Sequence, residues 1–142
     1  MTSQTPISFD QARFNMIEQQ IRPWEVLDRQ VLELLARMRR EDFVPAAHKA
    51  LAFADMELPL TQPAVDGQCM LAPKVEARML QDLALKPTDK VLDIGSGSGH
   101  MAALLAHLAQ RVVSLEVQAD LARRARENLQ KAGIANVEVR QA

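Results

Sequence analysis

The feature that most constrains this chain of 142 residues is a glycine at alternate positions directly after a short apolar segment. Residues 90–94 are rich in strand formers, and Gly95, Gly97 and Gly99 follow within five positions. Glycine adopts backbone dihedrals that other residues avoid, and it lets a ligand contact bare main chain. A helix beginning near Ser98 would also direct free N–H groups at such a ligand. The sequence therefore predicts a strand, a ligand-binding turn and a helix in succession.

Alternating helix and strand segments continue after the turn. Their predicted order is helix 100–109, strand 111–117, helix 118–132 and strand 136–140. Strand–helix–strand–helix–strand order at this spacing is typical of a parallel, right-handed α/β unit. We therefore predict that residues 87–142 form a βαβαβ unit that carries the ligand site.

Residues 1–86 differ from this unit in composition. All five aromatic residues lie within the first 53 positions, and all seven prolines lie within the first 87. Prolines and a capping aspartate delimit four predicted helices, at 9–21, after Asp28, at 45–53 and at 73–85. The second helix has an apolar stripe at the spacing of a buried face, formed by Val31, Leu34, Leu35 and Met38. We predict an N-terminal helical region over 1–86, with Trp24 and the nearby phenylalanines in its core.

Two acidic residues beside the turn narrow the kind of ligand. Glu116 ends the second predicted strand, roughly 20 residues beyond the turn, where an acidic side chain can accept both hydroxyls of a ribose. Asp93 lies two positions before Gly95, and a carboxylate there suits a cationic ammonium group better than a pyrophosphate. Dinucleotide sites prefer the spacing G-x-G-x-x-G, whereas this chain has G-x-G-x-G. A dinucleotide site and a turn that only serves tight packing stay open as alternatives.

The turn from Asp93 to Gly99 resembles motif I of class I S-adenosylmethionine-dependent methyltransferases. Other segments resemble the protein-L-isoaspartate O-methyltransferase family, in the order Arg39-Arg40-Glu41-Asp42-Phe43-Val44-Pro45, Leu58-Pro59-Leu60, Gly67-Gln68, Ala72-Pro73, Leu121-Ala122-Arg123-Arg124-Ala125-Arg126-Glu127-Asn128-Leu129 and Asn136-Val137. The resemblance implies a Rossmann-like parallel sheet and S-adenosyl-L-methionine as cofactor. It also implies methyl transfer to an isoaspartyl carboxylate of a protein or peptide, which is a protein repair reaction.

The same resemblance implies where the cofactor binds. The implied binding residues are Gln68, Cys69, Met70, Leu71, Asp93, Gly95, Ser96, Gly97, Gly99 and Glu116. Segment 68–71 would cross near the sulfonium, and Glu116 would hold the ribose. Asp93 would orient the turn or bind the ammonium, directly or through water, and His100 could contact the cofactor as well. No metal is expected, since the three histidines are scattered along the chain.

Two departures from the family pattern bear on activity. Leu71 stands where the family has a serine regarded as its active-site residue, and leucine cannot donate a hydrogen bond to a substrate carboxylate. The catalytic residue is therefore unassigned, and a methyltransferase with a different acceptor is an alternative. The family's sheet also has more strands than the three predicted here. The chain thus resembles a family member truncated after the third strand, whose exposed edge strand would invite self-association, or a noncatalytic cofactor-binding module.

Charge and cysteine content suggest the setting. Lys and Arg total 17 against 18 Asp and Glu, so the net charge of −1 creates no strong field toward nucleic acid or acidic membranes. No segment approaches the ~18 consecutive apolar residues of a membrane span, and the first ten residues lack the apolar run of a signal peptide. Cys69 is the only cysteine, which fits a reducing compartment. We expect a cytoplasmic protein without nucleic-acid or membrane partners.

Overall fold

The computed structural model describes residues 7–142, so the first six positions of the predicted helical region, with its polar N-terminus, lie outside the described residues. Within these residues the α-helices are α1 Phe9–Met16, α2 Arg29–Arg37, α3 Pro73–Leu83, α4 His100–Leu108 and α5 Ala119–Lys131. The strands are β1 Leu58–Pro59, β2 Cys69–Met70, β3 Lys90–Ile94, β4 Arg111–Glu116 and β5 Val137–Gln141. A π-helical segment, Ile17–Ile21, follows α1, and short 3-10 segments cover Arg22–Trp24, Arg40–Phe43 and Ala46–Leu51.

Strands β3, β4 and β5 form a parallel sheet in that order, which confirms the predicted α/β architecture. Helices α4 and α5 make the two crossovers between consecutive strands. The register pairs Asp93 with Ser114 and Glu116 with Gln141. The two acidic residues singled out from the sequence therefore lie toward the carboxyl ends of neighbouring strands.

The two faces of the sheet differ in how they are covered. Helices α4 and α5 pack against one face, where Val112 and Val139 are buried. On the opposite face, Leu92 and Ile94 of the edge strand β3 are 59% and 75% exposed. The ligand turn thus lies at the carboxyl end of a sheet with one open apolar face.

The N-terminal region forms a second helical layer. The Asp28 side chain caps α2, because its Oδ1 accepts a hydrogen bond of 3.0 Å from the Val31 N–H. The predicted stripe of α2 is buried throughout, at Val31, Leu34, Leu35 and Met38. Helix α3 contacts both α2 and α4, and it thereby connects this layer to the α/β unit.

Some predicted helix bounds are wrong. The first helix is α-helical only to Met16 and continues as a π-helical segment, and the predicted helix 45–53 is the 3-10 segment Ala46–Leu51. By contrast, helix α4 begins at His100, as the predicted range 100–109 has it and two residues after the start near Ser98 that the glycine turn suggested. The physical reason is the left-handed backbone of Gly99, whose φ of 88° is incompatible with a right-handed helix at that position.

The aromatic residues do not form the core that we expected for the helical region. Phe43 and Phe53 are buried, but three others are exposed, namely Phe9, Phe14 and Trp24. The core consists mainly of aliphatic side chains, and α1 directs Arg13 and Met16 inward instead of its phenylalanines. The Trp24 ring is covered on one side by the Lys74 ammonium, 4.6 Å from the ring centroid. Across residues 7–142, no helix combines the length and apolarity needed to cross a bilayer.

Candidate functional site

The glycine turn has left-handed backbone at all three glycines, with φ of 92° at Gly95, 54° at Gly97 and 88° at Gly99. A Cβ atom built on Gly95 would meet no atom within 4 Å. A Cβ atom on Gly99 would instead lie 3.2 Å from the main-chain oxygen of Ala125 in α5. Gly95 therefore borders open space, whereas Gly99 lets α4 begin close against α5.

The main-chain amides of the turn are already hydrogen-bonded within the protein. The N–H groups of Gly95 and Ser96 donate to the Leu115 carbonyl at 2.8 and 3.1 Å. The Gly97 N–H donates to Glu116 Oε1 at 2.9 Å. A pyrophosphate would need such amides free to donate to it. The observed bonds, beside a carboxylate, favour a cationic ligand over a dinucleotide.

Glu116 joins the end of β4 to the turn. Its side chain is buried, and besides the Gly97 bond its Oε2 accepts a hydrogen bond of 3.0 Å from the Gln118 N–H. A carboxylate has about four acceptor positions, so two remain after these bonds are formed. The residue thus keeps acceptor capacity for the two hydroxyls of a ribose while the main chain fixes its position.

Asp93 ends a chain of buried hydroxyls. The Ser114 hydroxyl donates to Asp93 Oδ2 at 2.7 Å, and its oxygen lies 2.5 Å from Ser96 Oγ. Because Ser114 has a single proton, which Asp93 accepts, Ser96 donates to Ser114. Burial raises the pKa of Asp93, the charges of Glu76 and Glu116 raise it further, and the Ser114 hydrogen bond opposes both. A cation close to this half-buried carboxylate would stabilise its charged form.

The Asp93→Asn variant should be more stable than the parent protein at pH 7 in the absence of ligand. The protonated form of Asp93 stabilises the fold below the ordinary pKa of 3.8, and this stabilisation is lost as the pH rises through the higher pKa of the folded state. Asparagine stays neutral, so we expect a gain on the order of 1 kcal/mol in unfolding free energy at pH 7, shrinking toward pH 4. Urea denaturation measures this gain. The exposed control Asp66→Asn should change it by less than about 0.5 kcal/mol.

A cavity of about 120 Å³ lies between the turn and the loop that precedes α3. Seven of the implied binding residues line it, namely Cys69, Met70, Leu71, Asp93, Gly95, Ser96 and Gly97. The other three, Gln68, Gly99 and Glu116, lie outside its lining. Pockets that enclose a small ligand measure about 300 Å³ or more, so this cavity can enclose only part of a nucleoside ligand.

A two-stranded antiparallel ribbon holds the loop beside the turn. Strands β1 and β2 pair Leu58 with Met70, and the Leu60 N–H donates to the Gln68 carbonyl at 3.0 Å. The Leu60 side chain also reaches the turn, since a Cβ atom on Gly97 would lie 3.1 Å from its Cδ1. The ribbon therefore brings the segment 68–71 to the glycines.

Sequence reasoning missed two charged residues of the cavity region, Arg40 and Glu76, and did not anticipate the partner of His100. All three side chains are buried, and they contact one another. One signal for Glu76 was available, because it shares the buried face of α3 with Ala77 and Leu80. A charged residue on such a face requires buried partners.

The chain is similar in sequence to known proteins. The sequence profile described as Protein-L-isoaspartate(D-aspartate) O-methyltransferase (PCMT) matches residues 11–142. A protein-L-isoaspartate O-methyltransferase of Aeropyrum pernix is 44% identical over 132 residues, which cover 91% of this chain and 49% of that protein. One from Methanoculleus marisnigri is 42% identical over 127 residues, covering 89% of this chain and 56% of that protein. The chain spans about half the length of the curated relatives it matches.

Solved structures share the fold. A protein-L-isoaspartate O-methyltransferase superposes with a TM-score of 0.76 at 22% identity, covering 92% of this chain and 42% of that one. A Plasmodium falciparum protein described as a protein-L-isoaspartate O-methyltransferase, in complex with S-adenosyl-L-homocysteine, gives a TM-score of 0.70 at 21% identity, covering 96% and 64%. The fold expected from the sequence is thereby confirmed over nearly the whole chain.

Proposed function

Because the chain belongs to the protein-L-isoaspartate O-methyltransferase family, we propose that it provides the S-adenosyl-L-methionine site of a methyltransferase acting on isoaspartyl carboxylates of proteins or peptides. The observation that carries this proposal is the open backbone at Gly95 between two carboxylates, the half-buried Asp93 and the buried Glu116. The relatives are named as O-methyltransferases, and one solved relative contains S-adenosyl-L-homocysteine.

The residues fit the chemical groups of this cofactor. The free acceptor positions of Glu116 suit ribose hydroxyls, and the Asp93 carboxylate suits the ammonium of the methionine part. Met70 and Leu71 add apolar side chains to the cavity lining, which suits the carbons bonded to the sulfonium. The open space at Gly95 lets a ligand approach the main chain where any side chain would intrude.

The proposed reaction requires little acid–base catalysis by the protein. When bound, S-adenosyl-L-methionine supplies an electrophilic methyl group on a sulfonium. An acceptor carboxylate is already ionised at pH 7, so no general base is needed. The contribution of this chain is to orient the reacting groups and to exclude water, for which the apolar side chains of Met70 and Leu71 are suited.

A calorimetric titration with S-adenosyl-L-homocysteine tests the proposed site. We expect one binding site for each copy of the 142-residue chain, and competition by S-adenosyl-L-methionine. A chain that is folded by circular dichroism but releases no heat would end the proposal. Binding without methylation of an isoaspartyl peptide would instead support the noncatalytic module or a different acceptor.

A related methyltransferase with another acceptor is the second candidate, and Leu71 is the observation that favours it. The Leu71 side chain lines the cavity but has no hydrogen-bond donor. The Leu71→Ser variant should therefore increase methylation of an isoaspartyl peptide at least roughly tenfold, the value of one added hydrogen bond to a charged group. Transfer of tritiated methyl groups measures the rate. The control Met70→Ser, on the neighbouring residue, should give no increase.

We also propose self-association through the open side of β3. Leu92 and Ile94 are largely exposed there, and β3 is an edge strand with unpaired main-chain groups. Light scattering should show a mass that rises with concentration, and Ile94→Lys should reduce this rise to the monomer value. The control Leu27→Lys, at an exposed leucine outside the sheet, should behave as the parent does. A parent chain that stays monomeric would refute this part.

The proposed reaction is assigned to the cytoplasm. The single cysteine is consistent with this setting, since the 142 residues contain no second cysteine with which Cys69 could form a disulfide.

A further inference from the structure

We propose that Arg40, Glu76 and His100 form a buried positioning network that fixes the cofactor-lining loop against the glycine turn through the carbonyl of Leu71. This inference rests on the proposed function, because the loop matters only if the cavity binds a cofactor. The three side chains are 4%, 2% and 3% exposed, and each of them comes from a different part of the chain. We call them the Arg40 network.

The guanidinium of Arg40 is the branching point of the network. Its Nη2 donates to the Leu71 carbonyl at 2.8 Å, its Nε donates to the Ala52 carbonyl at 2.7 Å, and its Nη1 donates to Glu76. The donors of a guanidinium have a fixed planar geometry, so three simultaneous bonds determine where each acceptor lies. Leu71 is thereby held at a set distance from α3.

His100 extends the network to the glycine turn. It is the first residue of α4, directly after Gly99, and its Nδ1 lies 3.0 Å from Glu76 Oε2. A carboxylate only accepts, so Nδ1 carries the hydrogen in this contact. Phe43 packs edge-on against the imidazole, with the ring centroids 5.4 Å apart. A continuous path of side chains therefore connects the two walls of the cavity.

Glu76 is charged at neutral pH in this setting. Burial alone would raise its pKa, but the charges and hydrogen bonds of His100 and Arg40 outweigh burial and lower the pKa overall. Well-packed apolar residues often replace buried ion pairs without loss of stability. A network of three buried ionisable groups that ends on the main chain of a cavity residue is therefore better explained by positioning than by stability.

A second buried pair in the same region provides a matched control. Arg13 Nη2 donates to both oxygens of Glu41, at 2.5 and 2.6 Å, and both side chains are buried. Neither residue lines the cavity or contacts Leu71. Each of the variants Arg13→Met and Arg40→Met removes the arginine hydrogen-bonded to a buried glutamate and leaves that glutamate one other basic partner, Arg39 at 3.7 Å from Glu41 and His100 at 3.0 Å from Glu76. Only Arg40→Met also releases the loop.

Two measurements test the network: the Kd for S-adenosyl-L-homocysteine, and the rate at which an aromatic disulfide reagent labels Cys69. Cys69 is the only cysteine and lies two residues before Leu71, and partial burial and Glu57 raise its pKa, so labelling of the parent should be slow. We expect Arg40→Met to weaken binding at least tenfold and to accelerate labelling at least fivefold. Arg13→Met should leave both within twofold of the parent.

Arg40→Lys covers the case in which Arg40→Met does not fold. Lysine keeps a charge near Glu76 but cannot span three acceptors, so binding should stay weakened at least fivefold. Equal effects of the Arg13 and Arg40 variants, or unchanged Cys69 labelling in both Arg40 variants, would overturn the network. If the parent itself does not bind S-adenosyl-L-homocysteine, the proposed function fails, and the labelling rates alone decide whether the network holds the loop.

Discussion

Glu116→Ala should weaken binding of S-adenosyl-L-homocysteine by roughly 100-fold or more. Each hydrogen bond to a charged acceptor contributes about 1.5–3 kcal/mol, and two ribose hydroxyls would lose their acceptor together. The Gly97 and Gln118 N–H groups would lose theirs as well, which should lower the unfolding free energy by about 1–3 kcal/mol. Calorimetry measures the first effect and urea denaturation the second.

Two further variants make this result interpretable. Glu116→Gln keeps one oxygen for the main-chain donors, so its affinity and stability should lie between those of the parent and the alanine variant. Glu138→Ala removes a carboxylate whose side chain is 41% exposed on β5 of the same sheet, and it should leave the affinity unchanged. If a folded Glu116→Ala protein binds with the affinity of the parent, Glu116 does not contact the ligand.

Alanine substitutions at Gly95 and Gly99 should separate binding from stability. Both residues have positive φ, so alanine costs about 1–2 kcal/mol of backbone strain at either position. At Gly99 the added Cβ also meets the main chain of Ala125 at 3.2 Å, and overpacking adds about 1–3 kcal/mol. Gly99→Ala should therefore lose the most stability.

Gly95→Ala should lose the most affinity. Its Cβ meets no protein atom, but it projects into the open space that the ligand would occupy. We expect binding at least roughly 100-fold weaker, with a loss of stability close to the strain alone. Thermal unfolding and calorimetry on the same two proteins measure both quantities. A Gly95→Ala protein that binds normally would mean that the ligand does not approach this main chain.

The glycine turn could be predicted from the sequence because the residues that determine it are close together in the chain. The spacing of residues is enough to recognise three glycines within five positions, the strand before them and an acidic residue at the end of the next strand. The cap at Asp28 is local in the same sense, since it acts on a residue three positions away. The structure agrees with the sequence at these places because short-range sterics determine the backbone there.

The Arg40 network could not be predicted because its contacts are distant in sequence. Arg40 and Glu76 are 36 positions apart, and Glu76 and His100 are 24 apart. The packing of α3 against α4 brings Glu76 to His100, and Arg40 reaches both from the 3-10 segment Arg40–Phe43. The occupied amides of the turn are a similar case, because their acceptors, the Leu115 carbonyl and the Glu116 carboxylate, belong to the neighbouring strand β4. The prediction that Trp24 lies in the core is wrong, because an aromatic side chain does not by itself determine which side of a segment is buried.

The two main-chain bonds to Glu116 have a consequence for how fast ligands exchange. Since Gly97 and Gln118 already hold this carboxylate, the protein need not reorganise its acceptor when a nucleoside arrives. Preorganised sites show similar association rate constants for related ligands and differ in how long each complex lasts. Adenosine analogues should therefore have nearly equal association rate constants. Their affinities should differ mainly because their dissociation rate constants differ.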